Sequence, residues 1–294
     1  MPNPPDSTTI AYRTLQLPEL QLFYREAGDP AAPMLLLLHG FPTSSHMFRD
    51  LLPRLADRYH VVAPDLPGFG FSGAPAADTF NYTFAHLTEI IEQFVDRIGL
   101  QRYALYMFDY GGPVALRLAL RHPERVTGLI VQNANAYLEG LADSGWAPIK
   151  AYWQDPSPAK REALRAFLTT DLTRFQYHHG VTEAERRIAP EAIALDAALL
   201  ARPQSADIQL DLFRDYQTNV ALYPQFQDYL RTHRPPTLVV WGRNDPFFLT
   251  AGVESLRRDT PRTEVVYYDT GHFALETHAR EIAGEIRRFL AATV

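Results

Sequence analysis

Short runs of apolar residues alternate along the chain with segments in which apolar residues recur every three or four positions. Runs such as 34–38 are hydrophobic at every position, which is typical of strands buried on both faces of a parallel sheet. The intervening segments have the spacing of amphipathic helices. The sequence predicts two paired antiparallel strands within 10–26, further strands at 34–38, 60–64, 103–108, 126–132, 237–242 and 264–268, and helices at 45–57, 84–98, 113–121 and 276–291.

The alternation of strand and helix stops between residues 137 and 232, where the apolar pattern is mainly helical. Strands that alternate with helices form mostly parallel sheets with helices on both faces. We therefore predict an α/β fold with a mostly parallel eight-stranded sheet. Its core domain consists of residues 1–136 and 233–294, and residues 137–232 form an inserted helical cap.

Composition narrows the class of protein. The 294 residues include 28 Lys and Arg against 34 Asp and Glu, a formal charge of −6 without a basic cluster, so nucleic acid is not an expected partner. The absence of cysteine excludes disulfides and thiolate chemistry. No apolar stretch reaches the roughly 20 residues of a membrane helix, and the polar residues 1–9 lack the features of a signal peptide. We expect a soluble cytoplasmic enzyme, monomeric or homodimeric, with no membrane partner.

The segment 108–112 (Phe-Asp-Tyr-Gly-Gly) joins a predicted strand to a predicted helix with no room for a loop. So tight a turn strains the backbone of its central residue and directs that side chain above the sheet, while glycines let the helix approach closely. The central residue here is Asp109. The alternative interpretation is that Asp109 caps the helix, a position that aspartate favours.

Three further segments follow predicted strands, and ligand sites in open parallel sheets lie at the carboxyl ends of the strands. His272 is a candidate base, and Asp245, 27 residues earlier, is a candidate for the carboxylate that orients its imidazole. The segment 39–42 (His-Gly-Phe-Pro) offers a backbone N–H for half of an oxyanion hole. The alternatives are an ordinary Asp-Pro turn at 245–246 and a structural turn at 39–42.

The order of these segments along the chain resembles the α/β-hydrolase fold. Aspartate at the turn, together with the segments 39–45 and 65–72, resembles the branch that contains epoxide hydrolases and haloalkane dehalogenases. This resemblance implies that Asp109 is the nucleophile, His272 the base and Asp245 its orienting acid.

The same resemblance implies an oxyanion hole formed by the backbone N–H groups of Phe41 and Tyr110. A carboxylate nucleophile is already anionic at neutral pH and can displace a leaving group at saturated carbon, which forms an ester on Asp109. Water activated by His272 would hydrolyse that ester. A carboxylic ester substrate would require an anhydride, which disfavours esterase or lipase activity. No metal and no organic cofactor are required.

The leaving group divides this branch. Epoxide opening needs an acidic donor, and the segment 216–219 resembles the second tyrosine segment of epoxide hydrolases, which makes Tyr216 the best donor candidate. The segment 152–156 resembles the residues that follow the first donor, but the donor position itself is Ile149. The candidates to replace that missing tyrosine are Tyr137, Tyr152 and Tyr177.

Halide departure needs N–H donors. Haloalkane dehalogenases typically have tryptophan after the nucleophile and often asparagine before the proline of the first segment, whereas this chain has Tyr110 and Phe41. Trp146 and Trp153 are the indole candidates in the cap. We therefore predict an epoxide hydrolase-like enzyme, with a haloalkane or haloacid dehalogenase as the alternative. The candidate leaving-group and substrate contacts are Tyr216, Trp146, Tyr152, Trp153 and Phe41.

A non-catalytic ligand-binding protein is a further alternative, because a fold does not fix a function. The complete set of nucleophile, base and acid weighs against it. The aromatic residues of the cap favour a small apolar or aromatic substrate, with water as the second reactant. His178 and His179 are adjacent without further ligands nearby in the sequence, so no metal site is predicted.

Overall fold

The computed structural model describes residues 8–293. Residues 1–7, which make up most of the segment considered for a signal peptide, lie outside the described residues, as does Val294. Within the described chain, no helix combines the length and the apolar character needed to cross a membrane.

The described residues form eight strands, which are β1 (Ala11–Gln16), β2 (Gln21–Ala27), β3 (Met34–Leu38), β4 (His60–Pro64), β5 (Tyr103–Phe108), β6 (Val126–Gln132), β7 (Thr237–Gly242) and β8 (Glu264–Tyr268). They make one sheet in the order β1-β2-β4-β3-β5-β6-β7-β8. β2 pairs antiparallel with β1 and β4, and the remaining neighbours pair in parallel. The prediction of a mostly parallel eight-stranded sheet is confirmed.

The helices of the core flank this sheet on both sides. They are α1 (Leu52–Leu55), α2 (Phe84–Arg97), α3 (Gly111–Arg121), α10 (Thr250–Asp259) and α11 (Ala274–Thr293). Successive side chains of a strand point to opposite faces, so Leu36 and Leu38 of β3 join the core cluster that includes α2 and α3. Leu35 and Leu37 join the other cluster, which includes α1 and α11. Burial on both faces explains why the central strands are apolar at every position.

The single helix predicted for residues 45–57 is wrong. A 3-10 helix occupies Ser45–Phe48, and α1 is a separate single turn. Pro53 lies in the first turn of α1, where its missing N–H is harmless. The same residue cannot donate the hydrogen bond that would continue a helix from Phe48.

Six α-helices and two 3-10 helices, Leu138–Gly140 and Leu164–Leu168, lie between β6 and β7 in the described chain. The α-helices are α4 (Asp143–Gln154), α5 (Pro158–Ala163), α6 (Thr170–His178), α7 (Ala184–Arg187), α8 (Pro190–Leu200) and α9 (Ser205–His233). We keep the name cap for residues 137–232, which contain all of these helices except the last residue of α9. Because β3, β5, β6, β7 and β8 run in parallel, the residues that follow them all emerge at one edge of the sheet.

Candidate active site

The turn between β5 and α3 consists of Asp109 and Tyr110 alone. Asp109 has a φ of 45°, in the left-handed region that non-glycine residues rarely occupy. A Cβ on Gly111 would lie 2.2 Å from the Leu38 carbonyl oxygen, so only glycine lets α3 start this close to β3. The N-cap residue of α3 is Tyr110, which leaves the Asp109 side chain free to point into a cavity beneath the cap.

Two backbone N–H groups stabilise the Asp109 carboxylate. The Phe41 N–H donates to Oδ1 at 2.6 Å, and the Tyr110 N–H also favours the charged form. A Cβ on Gly40 would lie 2.3 Å from Oδ1, so this approach requires glycine at position 40. Burial nevertheless raises the pKa of Asp109 to about 6, against the charge of His272 and the two N–H groups, which lower it.

His272 follows β8 and lies between two carboxylates. Its Nδ1 is 2.7 Å from Asp245 Oδ2, and its Nε2 is 3.9 Å from Asp109 Oδ2. Burial alone would lower the pKa of His272, but the charge and hydrogen bond of Asp245, with a contribution from Asp109, raise it above its usual value. In its neutral form the imidazole can donate from Nδ1 to Asp245 and offer Nε2 as a proton acceptor on the Asp109 side.

Asp245 is part of a turn and is also held against His272. Its Oδ1 accepts hydrogen bonds from the backbone N–H groups of Phe247 (2.7 Å) and Phe248 (3.1 Å). Its Oδ2 accepts from Asn133 Nδ2 at 2.7 Å as well as facing the imidazole. The predicted alternative of an Asp-Pro turn therefore describes the backbone here, and the orienting contact to His272 is present at the same residue.

Asn133 is a site residue that the sequence analysis missed. It follows β6 directly, has a φ of 42° and is fully buried. Its Oδ1 accepts from the Gly242 N–H at 3.0 Å, while its Nδ2 reaches Asp245. The sequence indicated Asn133 only through its position directly after a predicted strand, at the carboxyl end where site residues of parallel sheets lie. Asn133 ties the ends of β6 and β7 together and fixes the Asp245 carboxylate.

The cavity above Asp109 is small, about 40 Å³, and largely aromatic. The core supplies Asp109, Phe41, Tyr110 and His272, and the cap closes the other side. The lining residues that were not identified from the sequence are Gly145, Gln176, Phe247 and Phe248. The lining residues are Phe41, Asp109, Tyr110, Gly145, Trp146, Ile149, Phe167, Gln176, Phe213, Phe247, Phe248 and His272.

Only some of the aromatic leaving-group candidates line this cavity. Phe41 and Trp146 line it, but the Trp146 indole N–H donates to the Phe247 carbonyl at 3.1 Å. Trp153 is not among the lining residues, and its indole N–H donates to the Phe213 carbonyl at 2.7 Å. Both indole N–H groups are thus occupied by the protein itself.

The tyrosine candidates lie behind the cavity wall. Tyr216 packs 4.6 Å from the ring of Trp146 and is not a lining residue. Burial, with the neighbouring Tyr223 hydroxyl, raises the pKa of Tyr216 above its usual range, which makes it a weaker acid. Tyr152 is buried and likewise does not line the cavity.

Residues 8–293 include no cluster of three or more His, Cys, Asp or Glu side chains placed to hold a metal ion.

The sequence also matches the model of a known protein family. The model of the alpha/beta hydrolase fold matches residues 33–279. The chain belongs to the alpha/beta hydrolase fold family. The matched residues include the strained turn after β5 and the helical insertion between β6 and β7.

Several curated proteins are similar to this alpha/beta hydrolase over most of its length. An uncharacterized hydrolase of Saccharomyces cerevisiae, YNR064C, is 49% identical over 270 residues, covering 91% of this chain and 92% of the yeast protein. Haloalkane dehalogenase 2 of Mycobacterium tuberculosis is 41% identical over 231 residues, covering 78% and 76%. Epoxide hydrolase 3 of Xenopus tropicalis is 28% identical over 283 residues, covering 92% and 75%. The relatives therefore include both kinds of enzyme named by the sequence resemblance.

Proposed function

We propose that this protein is a cofactor-independent hydrolase that acts at a saturated carbon through an ester on Asp109, with epoxides as its preferred substrate class. The observation that carries the proposal is a carboxylate, rather than a hydroxyl, at the strained turn, 3.9 Å from the Nε2 of His272. A carboxylate in that position can attack alkyl carbon to form an ester, whereas attack on an acyl group would form a high-energy anhydride.

In the first step, Oδ2 of Asp109 attacks the less hindered carbon of the substrate. Oδ1 is already held by the Phe41 N–H, so Oδ2 is the oxygen free to form the new bond. The bond between that carbon and the leaving atom breaks, and its electron pair goes to the leaving atom. The product is an alkyl ester on Asp109, with Oδ1 as its carbonyl oxygen.

In the second step, water hydrolyses the ester. Nε2 of His272 takes a proton from water while the water oxygen attacks Cγ of Asp109, and the Asp245 carboxylate stabilises the imidazolium that forms. The negative charge develops on Oδ1, between the N–H groups of Phe41 and Tyr110. Collapse breaks the Cγ–Oδ2 bond, and His272 returns its proton to the departing alkoxide.

We place epoxides before haloalkanes because the segment 216–219 resembles epoxide hydrolases and because both cap indoles donate their N–H groups to backbone carbonyls. A halide ion leaving the cavity would lack those donors. The tyrosine acid of epoxide hydrolases is likewise absent from the cavity wall, so the two classes are separated by experiment. A haloalkane substrate remains the second candidate, because one relative that is 41% identical is named as a haloalkane dehalogenase. The apolar lining supports a small apolar or aromatic substrate in either case.

The test is to trap the ester. His272→Gln should form the ester on Asp109 and fail to hydrolyse it, so intact-mass spectrometry after incubation with a panel of small epoxides and haloalkanes should show a stable adduct. Peptide mapping should place the adduct on Asp109, and Asp109→Asn should prevent it. Diol formation or halide release by the wild-type enzyme then distinguishes the two substrate classes.

His278→Gln is the matched control, because His278 is a partly buried histidine outside the cavity. It should turn over substrate without accumulating an adduct. If His272→Gln gives no adduct with any compound of the panel, the proposed chemistry is wrong and a ligand-binding role takes its place.

A further inference from the structure

Gln176 is a polar cap residue in an otherwise apolar part of the cavity wall. It lies on α6, is only 3% exposed and lines the same cavity as Asp109 and His272. In the described part of the chain, no group forms a hydrogen bond with its side-chain amide. The oxygen and the nitrogen of that amide are not among the buried polar atoms that have almost no accessible surface. The amide therefore faces the cavity with its hydrogen-bonding capacity unused.

The residues on either side of Gln176 fix its position relative to the site. Tyr177 stacks on Phe273, the neighbour of His272, with ring centroids 4.0 Å apart and planes within 1°. The ring centroids of Phe175 and Phe247 lie 6.4 Å apart, and the backbone N–H of Phe247 donates to Asp245. This end of α6 is thus held on the loops that carry the base and the acid.

The loop after α6 is attached to the same loops. The Asn244 side chain donates to the Gly180 carbonyl at 2.8 Å. A Cβ on Gly271 would lie 1.9 Å from the His179 carbonyl oxygen, which shows how closely the two segments approach. A side chain held on a helix by contacts on both sides is preorganised, which is what a group that acts on a reacting atom requires.

A buried amide without a hydrogen bond costs stability, and such groups in folded proteins usually have a ligand or water as partner. The other uncharged polar groups of the cavity wall are occupied or sealed. The Trp146 N–H is bonded to a carbonyl, and the Tyr110 hydroxyl is fully buried in the wall. Gln176 is therefore the cap donor that remains available to a substrate among residues 8–293.

We propose that Gln176 donates a hydrogen bond from Nε2 to the leaving atom of the substrate while Asp109 attacks. Displacement at saturated carbon sends the leaving atom away from the nucleophile, and in a cavity of about 40 Å³ the cap residues of the wall are within reach of a small substrate bound at Asp109. The other cap residues of the wall, apart from the engaged indole of Trp146, offer only carbon or glycine: Gly145, Ile149, Phe167 and Phe213.

This inference rests on the proposed function, and it assigns Gln176 a hydrogen bond to the leaving atom rather than a proton transfer. As the bond to carbon breaks, the electron pair goes to the leaving atom, and the N–H of Gln176 stabilises the charge without giving up its proton. An epoxide oxygen then takes its proton from water, whereas a halide needs none. Gln176 supplies a hydrogen-bond donor at a cavity where neither Ile149 nor Tyr216 supplies an acid.

The experiment separates the two half-reactions. Gln176→Met keeps the length of the side chain and removes the donor. In the His272→Gln background, ester formation should slow by about 10- to 100-fold, the range expected for loss of one hydrogen bond to a developing charge. In the otherwise wild-type enzyme, hydrolysis of the ester should stay within about threefold, because Gln176 takes no part in that step.

Gln209→Met is the matched control, since Gln209 is a buried cap glutamine that does not line the cavity. It should leave both rates unchanged. Gln176→Leu, which is close in size and has no hydrogen-bond donor, is the second variant and should slow ester formation to a similar extent. Equal rates of ester formation with and without the Gln176 amide would overturn this inference, whereas failure of His272→Gln itself to form any ester would overturn the proposed function instead.

Discussion

Asp109 meets two opposed requirements at one position. Burial raises its pKa to about 6 and so favours the neutral acid, while the attack on carbon that we propose requires the anion. The Phe41 and Tyr110 N–H groups and the charge of His272 lower the pKa and keep the carboxylate ionised at neutral pH. A partly desolvated anion is a better nucleophile than a hydrated one, so the balance favours catalysis.

The rate of ester formation should follow the ionisation of Asp109. The anion is the reactive form, so the rate rises as pH increases through about 6 and levels off above it. Between pH 5 and pH 8 the increase should be roughly tenfold, the ratio of the ionised fractions. Rapid-quench measurement of the ester in a single turnover of the wild-type enzyme checks this.

The charge of His272 provides an internal control for that pH profile. Because this charge lowers the pKa of Asp109, His272→Gln should move the midpoint of ester formation to higher pH. A profile that stays flat from pH 5 to pH 8 in both proteins would contradict the assignment of Asp109 as a buried nucleophile.

The proximity of Asp109, Asp245 and His272 could be predicted because each residue lies within four positions of the carboxyl end of a strand in the parallel part of the sheet. Asn133 directly follows β6, so its place beside Asp245 could have been predicted from the same position at the end of a parallel strand. Gln176 could not be predicted in this way, since it lies on a cap helix. Its position depends on the packing of Tyr177 against Phe273, which no local pattern encodes.

At the scale of elements, a buried polar network joins the cap to the core. Asp196 of α8 accepts a hydrogen bond from the Tyr177 hydroxyl of α6 at 2.6 Å. The Thr43 side chain, in the loop after β3, also interacts with Asp196. Glu276 and Arg49 form an adjacent bidentate pair in the core. The helix that carries Gln176 is thus anchored on both the cap side and the core side.

Asp196 should make stability depend on pH. Burial raises its pKa to about 8 in the folded protein, although Tyr177, Thr43 and Arg49 oppose the shift and Glu276 adds to it. The folded state therefore retains a proton that the unfolded state loses near pH 4. Stability falls as pH rises from about 4 to about 8, and the loss is complete above that range.

Asp196→Asn removes this titration while keeping the shape of the side chain. The melting temperature of the wild-type protein should decrease between pH 6 and pH 9 more than that of Asp196→Asn, as measured by calorimetry. Asp143→Asn is the control, because Asp143 is highly exposed, and its profile should match the wild type. Parallel pH profiles for all three proteins would show that Asp196 does not carry the effect.

The elements of the core were more predictable than those of the cap for a physical reason. A strand covered on both faces is apolar at every position, as in β3, so its bounds are visible in the sequence. The cap helices face the core, one another and solvent in turn. The 29-residue α9, for example, contains Pro224 and buries Asn219, which accepts a hydrogen bond from Arg117. Its buried face is therefore not uniformly apolar.

At the scale of the whole molecule, the placement of the cap on the sheet determines how large a substrate fits. The core contributes the reacting groups at one edge of the sheet, and α4, α6 and α9 contribute the opposite wall of a cavity of about 40 Å³. A space of that size suits a short substrate. The selectivity of the enzyme for chain length should therefore depend on cap side chains that do no chemistry.

Ile149→Ala tests this dependence, because Ile149 of α4 is buried and lines the cavity. Removing three carbon groups should raise kcat/KM for longer terminal epoxides relative to the shortest one, measured across a homologous series, at a cost of about 2–4 kcal/mol in stability. Leu164→Ala deletes a buried cap side chain that does not line the cavity, so it should lose similar stability with no change in the series. If both variants shift the series equally, looseness of the cap rather than the shape of its wall sets the size limit.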